Sequence, residues 1–294
     1  MRRSLVLVAL VVTLVAVGCS PTTSSTGQPL WQTYHLTGWQ PVGTYKVDSL
    51  DSSQGVASVR RGSNYSLVYD DLGSIPTSKF NAGWTHIGDP DSRGGYIVYP
   101  YQASDPSAGK LYEVATPDNH FYDYTHALDP GEEYNNSFAA VSPDGQWLVS
   151  GEWDTMTRLL VFPMPILNPA VPAGGGALAT VGQINLSSPV NDVQGCTFTS
   201  ATRLLCSSDD SSQSLWPDDK PLLQVDLSAP LSGAPVTGTV TDLGPLPQVS
   251  PCGTTGFEAE GLDYDFVTAK LRVIVIPPAP CIIQSDVYEY QPAP

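Results

Sequence analysis

The chain has 294 residues, a net charge of −16 and only 14% charged side chains, with 26 glycines and 27 prolines. So few charges exclude a coiled coil or a charge-driven disordered chain, and so many glycines and prolines exclude long helices. The acidic balance argues against nucleic acid as a partner, because binding a phosphate backbone needs a basic face.

The chain opens with Met1-Arg2-Arg3, an apolar run from Leu5 to Val17, and then Gly18-Cys19. A basic start, a short apolar stretch and a small residue at the cut predict a signal peptide over residues 1–18. The apolar stretch is shorter than the roughly 20 residues of a membrane-spanning helix. Ala16-Val17-Gly18-Cys19 resembles the bacterial lipobox, with Ala16 in place of the usual leucine. That resemblance implies cleavage before Cys19, a diacylglycerol thioether on its sulfur, and acyl chains such as palmitate holding the chain on the extracytoplasmic face of the cell membrane. Cleavage would leave 11 basic against 29 acidic residues, a net charge of −18. Residues 19–29, the lipidated cysteine followed by SPTTSSTGQP, show no apolar periodicity and read as a flexible tether. The domain is expected over residues 30–294.

From Leu30 onward short apolar runs alternate with turn clusters, and a five-fold unit recurs: a short strand with Gly or Ala, a turn, an apolar strand, and an outer strand. The first unit has Gln54–Ser58 and Tyr65–Asp70, and the second His86–Asp89, Gly95–Tyr99 and Leu111–Ala115. The third has Ser137–Val141, Gln146–Ser150 and Arg158–Phe162, and the fourth Gln194–Phe198, Arg203–Ser207 and Leu222–Leu227. The fifth has Glu260–Tyr264, Lys270–Ile276 and Asp286–Tyr290. In the third, Ser142-Pro143-Asp144-Gly145 is a tight turn: Pro sets φ, Asp bonds back to the chain, and Gly takes a positive φ.

VSPDGQWLVSG resembles the inner hairpin of TolB-like and WD-type propeller blades, and EGLDYDFVTAKLRVIV resembles a blade of gluconolactonase-like and esterase-like phytase-like propellers. The resemblance implies an all-β fold, a single β-propeller of five blades, with room for a sixth in Leu30–Val47 or Asn168–Val193. A β-sandwich with long loops is the alternative.

Four cysteines remain after Cys19. The short spacing of Cys196 and Cys206 suits a clip across one hairpin, which leaves Cys252 with Cys281. No CxxC pair supports a zinc site.

Aligning the five units places Gln54, His86, Ser137 with Asn136 beside it, Gln194 and Glu260 where the inner strands begin. These polar groups either satisfy one another at a crowded axis or form a ligand or cation site, with a divalent ion such as calcium offsetting Glu260. Gly55, Gly195 and Gly261 follow three of them, allowing backbones to approach closely. Asp89-Pro90-Asp91-Ser92-Arg93-Gly94 has the spacing of a calcium loop, but Arg93 takes a ligand position and Pro100 stands where the closing acid belongs. Asp89 and Asp91 are therefore expected to cap a hairpin turn, and Asp89 is kept as an axial candidate. Glu258 and Glu260 flank Ala259 and point the same way on a strand. The gluconolactonase-like resemblance implies a metal-ligating Glu in an EG dipeptide, which Glu260-Gly261 matches, with Asn191 and Asp89 as the nearest further ligands. Five-bladed glycoside hydrolases carry three axial carboxylates, for which Asp89, Glu258 and Glu260 are the candidates.

No GxSxG, HExxH or GxxxxGK[ST] occurs. The aromatic stretch His120–His126 reads as a surface loop or a contact patch, which Trp84, Trp153 and Trp216 could extend. The functional expectation is a monomeric, lipid-anchored extracytoplasmic propeller that binds a ligand, an envelope protein or a carbohydrate. The alternative is a metal-dependent hydrolase or lactonase with an axial active site.

Overall fold

The computed structural model describes residues 27–294; the expected signal peptide, Cys19 and most of the tether lie outside the described residues. Strand β1 (Trp39–Asp48) opens the domain, followed by the hairpin β2 (Gly55–Arg61) and β3 (Asn64–Asp70). Next come β4 (Trp84–Ile87), β5 (Asp91–Arg93), β6 (Tyr96–Ala103), β7 (Lys110–Ala115) and β8 (Phe121–His126). The third group is β9 (Ala140–Val141), β10 (Trp147–Ser150), β11 (Thr155–Pro163), the short β12 (Gly176–Ala177) and β13 (Gly182–Asn191). The fourth is β14 (Val193–Ser200), β15 (Arg203–Ser208), β16 (Pro221–Leu227) and β17 (Val236–Pro245). The chain ends with β18 (Glu258–Asp265), β19 (Lys270–Ile276) and β20 (Gln284–Pro292).

Within each group the strands pair antiparallel from an inner strand outward, except that β4 and β5 both pair with β6 and the short β12 pairs in parallel with β8 of the preceding group. The five inner strands close a ring: β2 packs on β5, β5 on β9, β9 on β14, β14 on β18, and β18 back on β2. Radial sheets around a closed ring of inner strands make the fold a β-propeller rather than a sandwich. The two regions considered for a sixth unit serve existing ones. Strand β1 runs along β20 from Trp39↔Pro292 to Asp48↔Gln284, so the start of the domain completes the sheet of its end. Strand β13 is the outer strand on β11, and it also pairs in parallel with β17 of the next sheet.

The alternation within β19 shows how the core is partitioned. Leu271, Val273 and Val275 pack in one cluster with Leu205, Leu222 and Phe257 of the fourth and fifth sheets, while Ile274 faces Val56 and Val287 on the other side. A middle strand of a blade is covered on both faces, so β19 is apolar at consecutive positions from Val273 to Ile276 and not only at alternate ones, while the buried Arg272 is paired with Asp263. Each fully buried aliphatic side chain of this kind contributes about 1.5–3 kcal/mol. The turn at Ser142–Gly145 is as expected: Gly145 has φ 73°, its N–H reaches Ser142 O at 2.8 Å, and Asp144 Oδ1 accepts from Gln146 N at 3.0 Å.

Both disulfides have the expected pairing. Cys196 and Cys206 are direct cross-strand partners on β14 and β15. Cys252–Cys281 joins the two loops that flank the hairpin of β18 and β19. The stretch His120–His126 is not a loop: Phe121–His126 is β8, an outer strand with Tyr124 and His126 buried. Trp216 packs against the core of the third and fourth sheets.

Gly261 tests the tightness of the ring. A methyl group there would collide with the Asp89 carboxyl and with the Gln54 carbonyl of β2's approach. Gly261→Ala is expected to lower unfolding free energy by about 2–3 kcal/mol in urea titrations, the usual scale of overpacking. Gly238→Ala, which would meet only side-chain methyls of Val225, Ile184 and Leu186, serves as the comparison and should cost less.

Candidate functional site

The axis is built around Asp89. Its side chain is fully buried. Its Oδ1 accepts from Val56 N of β2 at 3.0 Å, and its Oδ2 accepts from Leu262 N of β18 at 3.0 Å. Its own N–H donates to Ser137 O at 2.6 Å, and its carbonyl accepts from Ala139 N at 2.9 Å. Gly55, Gly195 and Gly261 lie so close to Asp89 that no side chain fits at any of the three. One residue thus touches elements from all five units. Burial pushes its carboxyl well above the usual range, against the two backbone N–H bonds and with help from nearby Asp91 and Asp263. Asp89 does not cap a turn: its carboxyl oxygens accept backbone N–H groups of β2 and β18, and it is not among the residues lining the cavity described below.

Other aspartates repeat the device. Asp91 Oδ2 accepts from Val141 N of β9 at 2.7 Å. Asp263 Oδ1 accepts from Ser58 N of β2 at 2.8 Å, and Arg272 Nη1 donates to its Oδ2 at 2.9 Å. A carboxylate on one inner strand receives an N–H from the next, where parallel neighbours lie too far apart for a regular ladder. Asp91 is pushed up to about 7, chiefly by burial, although Arg93 and the two backbone bonds pull it down.

Beyond Asp89 the inner strands begin, and there a polar cavity of about 410 Å³ opens. Gln54, His86, Ser137, Gln194 and Glu260, spread over the whole chain, line it together. Asn136 does not. It is fully buried beside the cavity, its amide nitrogen donating to Tyr101 O at 2.9 Å and Leu111 O at 3.1 Å. Glu258 is exposed and outside the lining. Asn191 lies on β13, where Thr155 Oγ1 donates to its Oδ1 at 3.5 Å. The ligand set implied by the gluconolactonase-like resemblance, and the three carboxylates of the glycoside hydrolase resemblance, are therefore not assembled from these residues.

Besides the phenol of Tyr134, two ionisable groups face the cavity, and their environments shift them in opposite directions. Burial pushes the Glu260 carboxyl well up, and the acidic neighbours Asp209, Glu258 and Asp71 push the same way. Burial pulls His86 down, against the field of Asp71. His86 Nε2 lies 3.1 Å from Gln54 Oε1. The amide oxygen can only accept, so Nε2 carries the hydrogen and Nδ1 keeps a lone pair. That Nδ1 is buried without a partner.

The rest of the lining includes Thr85, Gln102, Ser104, Tyr134 and Trp153, none of which stands out by spacing. Trp153, named in the sequence only as an extension of the His120–His126 patch, lines this cavity instead, and a further signal was Gln102, a polar residue within the otherwise apolar β6. Its Oε1 accepts from Asn136 N at 2.9 Å. The rim carrying Tyr134 and Trp153 is held from behind by buried charges. Lys110, fully buried on β7, donates to Gly151 O at 2.7 Å and pairs with Glu132 Oε1 at 2.6 Å. Glu132 Oε2 faces His126 Nε2 at 2.8 Å and accepts from Asp129 N at 2.9 Å. Burial alone would raise Glu132, but His126 and Lys110 outweigh it and hold the carboxyl at about 2. Arg158 clamps Glu152, next to Trp153, through two bonds of 2.7 and 2.9 Å.

His126, Asp129 and Glu132 form the one group of three metal-type donors found close together among the described residues. Lys110 already supplies its cation, and it lies outside the axial cavity. No comparable cluster of His, Cys, Asp and Glu forms at the axis among the described residues.

No protein-family model matches the chain. No curated protein matches it either. Among solved structures it is similar to native Bacillus subtilis arabinanase Arb43A, with TM-score 0.44 and 11% identity over 82% of this chain and 95% of that one. A GH43_1 enzyme from Xanthomonas citri gives TM-score 0.42 and 11% identity over 85% and 90%. The RRP9 WD40 repeats give TM-score 0.37 and 9% identity over 81% and 67%. At these identities and TM-scores the likenesses carry no argument, and the fold of the present chain rests on its own strand pairing.

The raised carboxyls set a pH dependence. Asp91 and Asp70, each pushed up to about 7, hold a proton more tightly in the folded chain than in the unfolded chain, where it is released near 3.8. The stabilisation they give is complete below the unfolded value and is lost as pH rises through about 7. The thermal midpoint should fall between about pH 5 and about pH 8, and Asp91→Asn should flatten that fall. A midpoint that rises over this interval in the wild type would contradict the assignment.

Proposed function

We propose that this chain is a lipid-anchored extracytoplasmic β-propeller that binds a small, uncharged, hydroxyl-rich ligand, of carbohydrate type, in its axial cavity. The observation that carries the ligand class is the lining: neutral amides and hydroxyls converge from the inner strands, one indole borders them, and no Lys or Arg is among them. Amide and hydroxyl groups pair with sugar hydroxyls in either sense, and an indole gives a flat apolar face. A phosphate or carboxylate would meet no cation here and would meet Glu260. The anchor rests on the lipobox-like Ala16–Cys19, and the export it implies agrees with the two disulfides. We read the five radial units as five blades, with this cavity at one end of their common axis.

A second reading has one observation in its favour. Glu260 shifted up and His86 shifted down set a carboxyl that holds its proton more tightly and an imidazole that holds its proton less tightly in one cavity, the kind of pairing an acid–base hydrolase uses.

The test is calorimetry of the wild-type protein with neutral di- to tetrasaccharides of glucose, xylose, mannose and N-acetylglucosamine, with calcium chloride titrated separately. At least one saccharide should bind with Kd in the range of about 10 μM to 1 mM, and Trp153→Ala and Gln194→Ala should each weaken it about tenfold or more. Saccharide binding without turnover favours a receptor; turnover lost in Glu260→Gln with binding retained favours the hydrolase. Heat from calcium alone, with none from any saccharide, would overturn the ligand class.

A further inference from the structure

The opposite end of the axis has a different chemistry. The inner strands β2 and β18 run the same way, as the successive contacts Gln54–Gly261, Ser58–Asp263 and Arg60–Asp265 show, and β5 runs with them through Val56–Asp89, Ser58–Ser92 and Arg61–Gly95. Their far ends therefore emerge together, roughly 20 Å from the cavity at about 3.3 Å per residue. A row of aromatic rings crosses this end: Trp39 lies 6.0 Å from Tyr264, Tyr264 lies 5.0 Å from Phe266, and the Arg93 guanidinium lies 4.4 Å over Phe266. Two pockets share Tyr264, one of about 140 Å³ between Arg60 and Arg93 and one of about 260 Å³ beside Trp39. Phe266 is 39% exposed and the neighbouring Val267 70%.

The charges at this end are as unusual as its rings. The chain carries −16. Among the described residues every Lys and Arg has a carboxylate within 4.0 Å except Arg61 and Arg93. Both lie here. Arg61 donates only to neutral acceptors, Gly95 O at 3.2 Å, Thr116 O at 3.3 Å and Asn119 Oδ1 at 2.9 Å. Arg93 reaches Val141 O at 3.5 Å, and its Nε is buried with no acceptor. The acids nearby are already engaged. Asp265 is held by Arg60 through two bonds, Asp91 takes the N–H groups of Ser92 and Val141, Asp144 closes its own turn, and Asp118 faces His120.

We propose that this end is a docking strip for an acidic segment of a partner polypeptide, whose carboxylates pair with Arg61 and Arg93 and whose apolar side chain covers Phe266 and Val267. Arginine and aromatic residues are the types that dominate binding at protein interfaces. A narrow segment meets the strip alone, whereas an anionic membrane would face the whole acidic body and be repelled. The strip is separate from the axial cavity, so it stands or falls independently of the ligand assigned there.

The probe is a fluorescein-labelled dodecapeptide of alternating Glu and Phe, read by anisotropy beside its Lys–Phe counterpart. Phosphatidylglycerol vesicles are tested by co-sedimentation. The Glu–Phe peptide should bind and the Lys–Phe peptide should not. Added salt should weaken binding, and the double variant Arg61→Gln, Arg93→Gln should weaken it about tenfold. Val267→Ser, an exposed site whose change leaves the core untouched, should weaken it about threefold, so the outcome does not hinge on how the arginine variant folds. Equal binding of both peptides, unchanged binding in both variants, absence of peptide binding, or binding to the vesicles alone would overturn the proposal.

Discussion

One carboxyl group, that of Asp89, holds the axis together. A propeller's inner strands diverge from one another and cannot form continuous ladders, so the backbone groups facing the axis need another partner. Asp89 supplies one to β2 and another to β18, while its own peptide groups pair with the approach to β9. Burying a carboxyl is costly, and the strong upward push on its proton affinity expresses that cost. Leaving two buried N–H groups unmet would cost about 1–3 kcal/mol each. The three glycines that crowd Asp89 are the sequence's concession to it: Gly55, Gly195 and Gly261 each give up a side chain so that the carboxyl can reach across.

The cavity and the far end follow from this plug. Asp89 divides the axis, and each end takes its chemistry from a different part of the inner strands. Where the strands begin, Gln54, His86, Ser137, Gln194 and Glu260 remain only partly satisfied by protein and face open space. Where they end, Arg60 and Arg93 stand over aromatic rings. Glu260, buried without an ion-pair partner at one end, and Arg61 and Arg93, which donate only to neutral acceptors at the other, are separate features of the closed ring.

The parts of this architecture that depend on local order were legible in the sequence. The tight turn at Ser142–Gly145 and the recurring inner strands predicted the hairpins and their register. Because register follows a period of two, that alignment also brought five distant polar residues to one cavity. The Cys196–Cys206 clip was legible because both residues belong to a single hairpin. Contacts between sheets were not legible. Asp89 and Asp91 look like turn-capping residues in one dimension, and only the parallel approach of neighbouring inner strands shows that both Asp89 oxygens and one Asp91 oxygen serve other units. The pairing of β1 with β20 joins residues about as far apart in sequence as this domain allows, and no local pattern marks it. Trp153 and Tyr134 reach the cavity on loops, whose course is set by the buried Lys110–Glu132 pair and not by their own sequence.

Equilibrium urea unfolding of Asp89→Ala, with Asp89→Asn alongside, tests the central claim most directly. The account predicts that Asp89→Ala loses about 3 kcal/mol or more, or fails to fold, because two buried N–H groups lose their acceptor and the ring loses its common contact. Asp89→Asn keeps one carbonyl oxygen and should fall between Asp89→Ala and the wild type. A loss below about 0.5 kcal/mol in Asp89→Ala, the size of an ordinary surface substitution, would contradict the account.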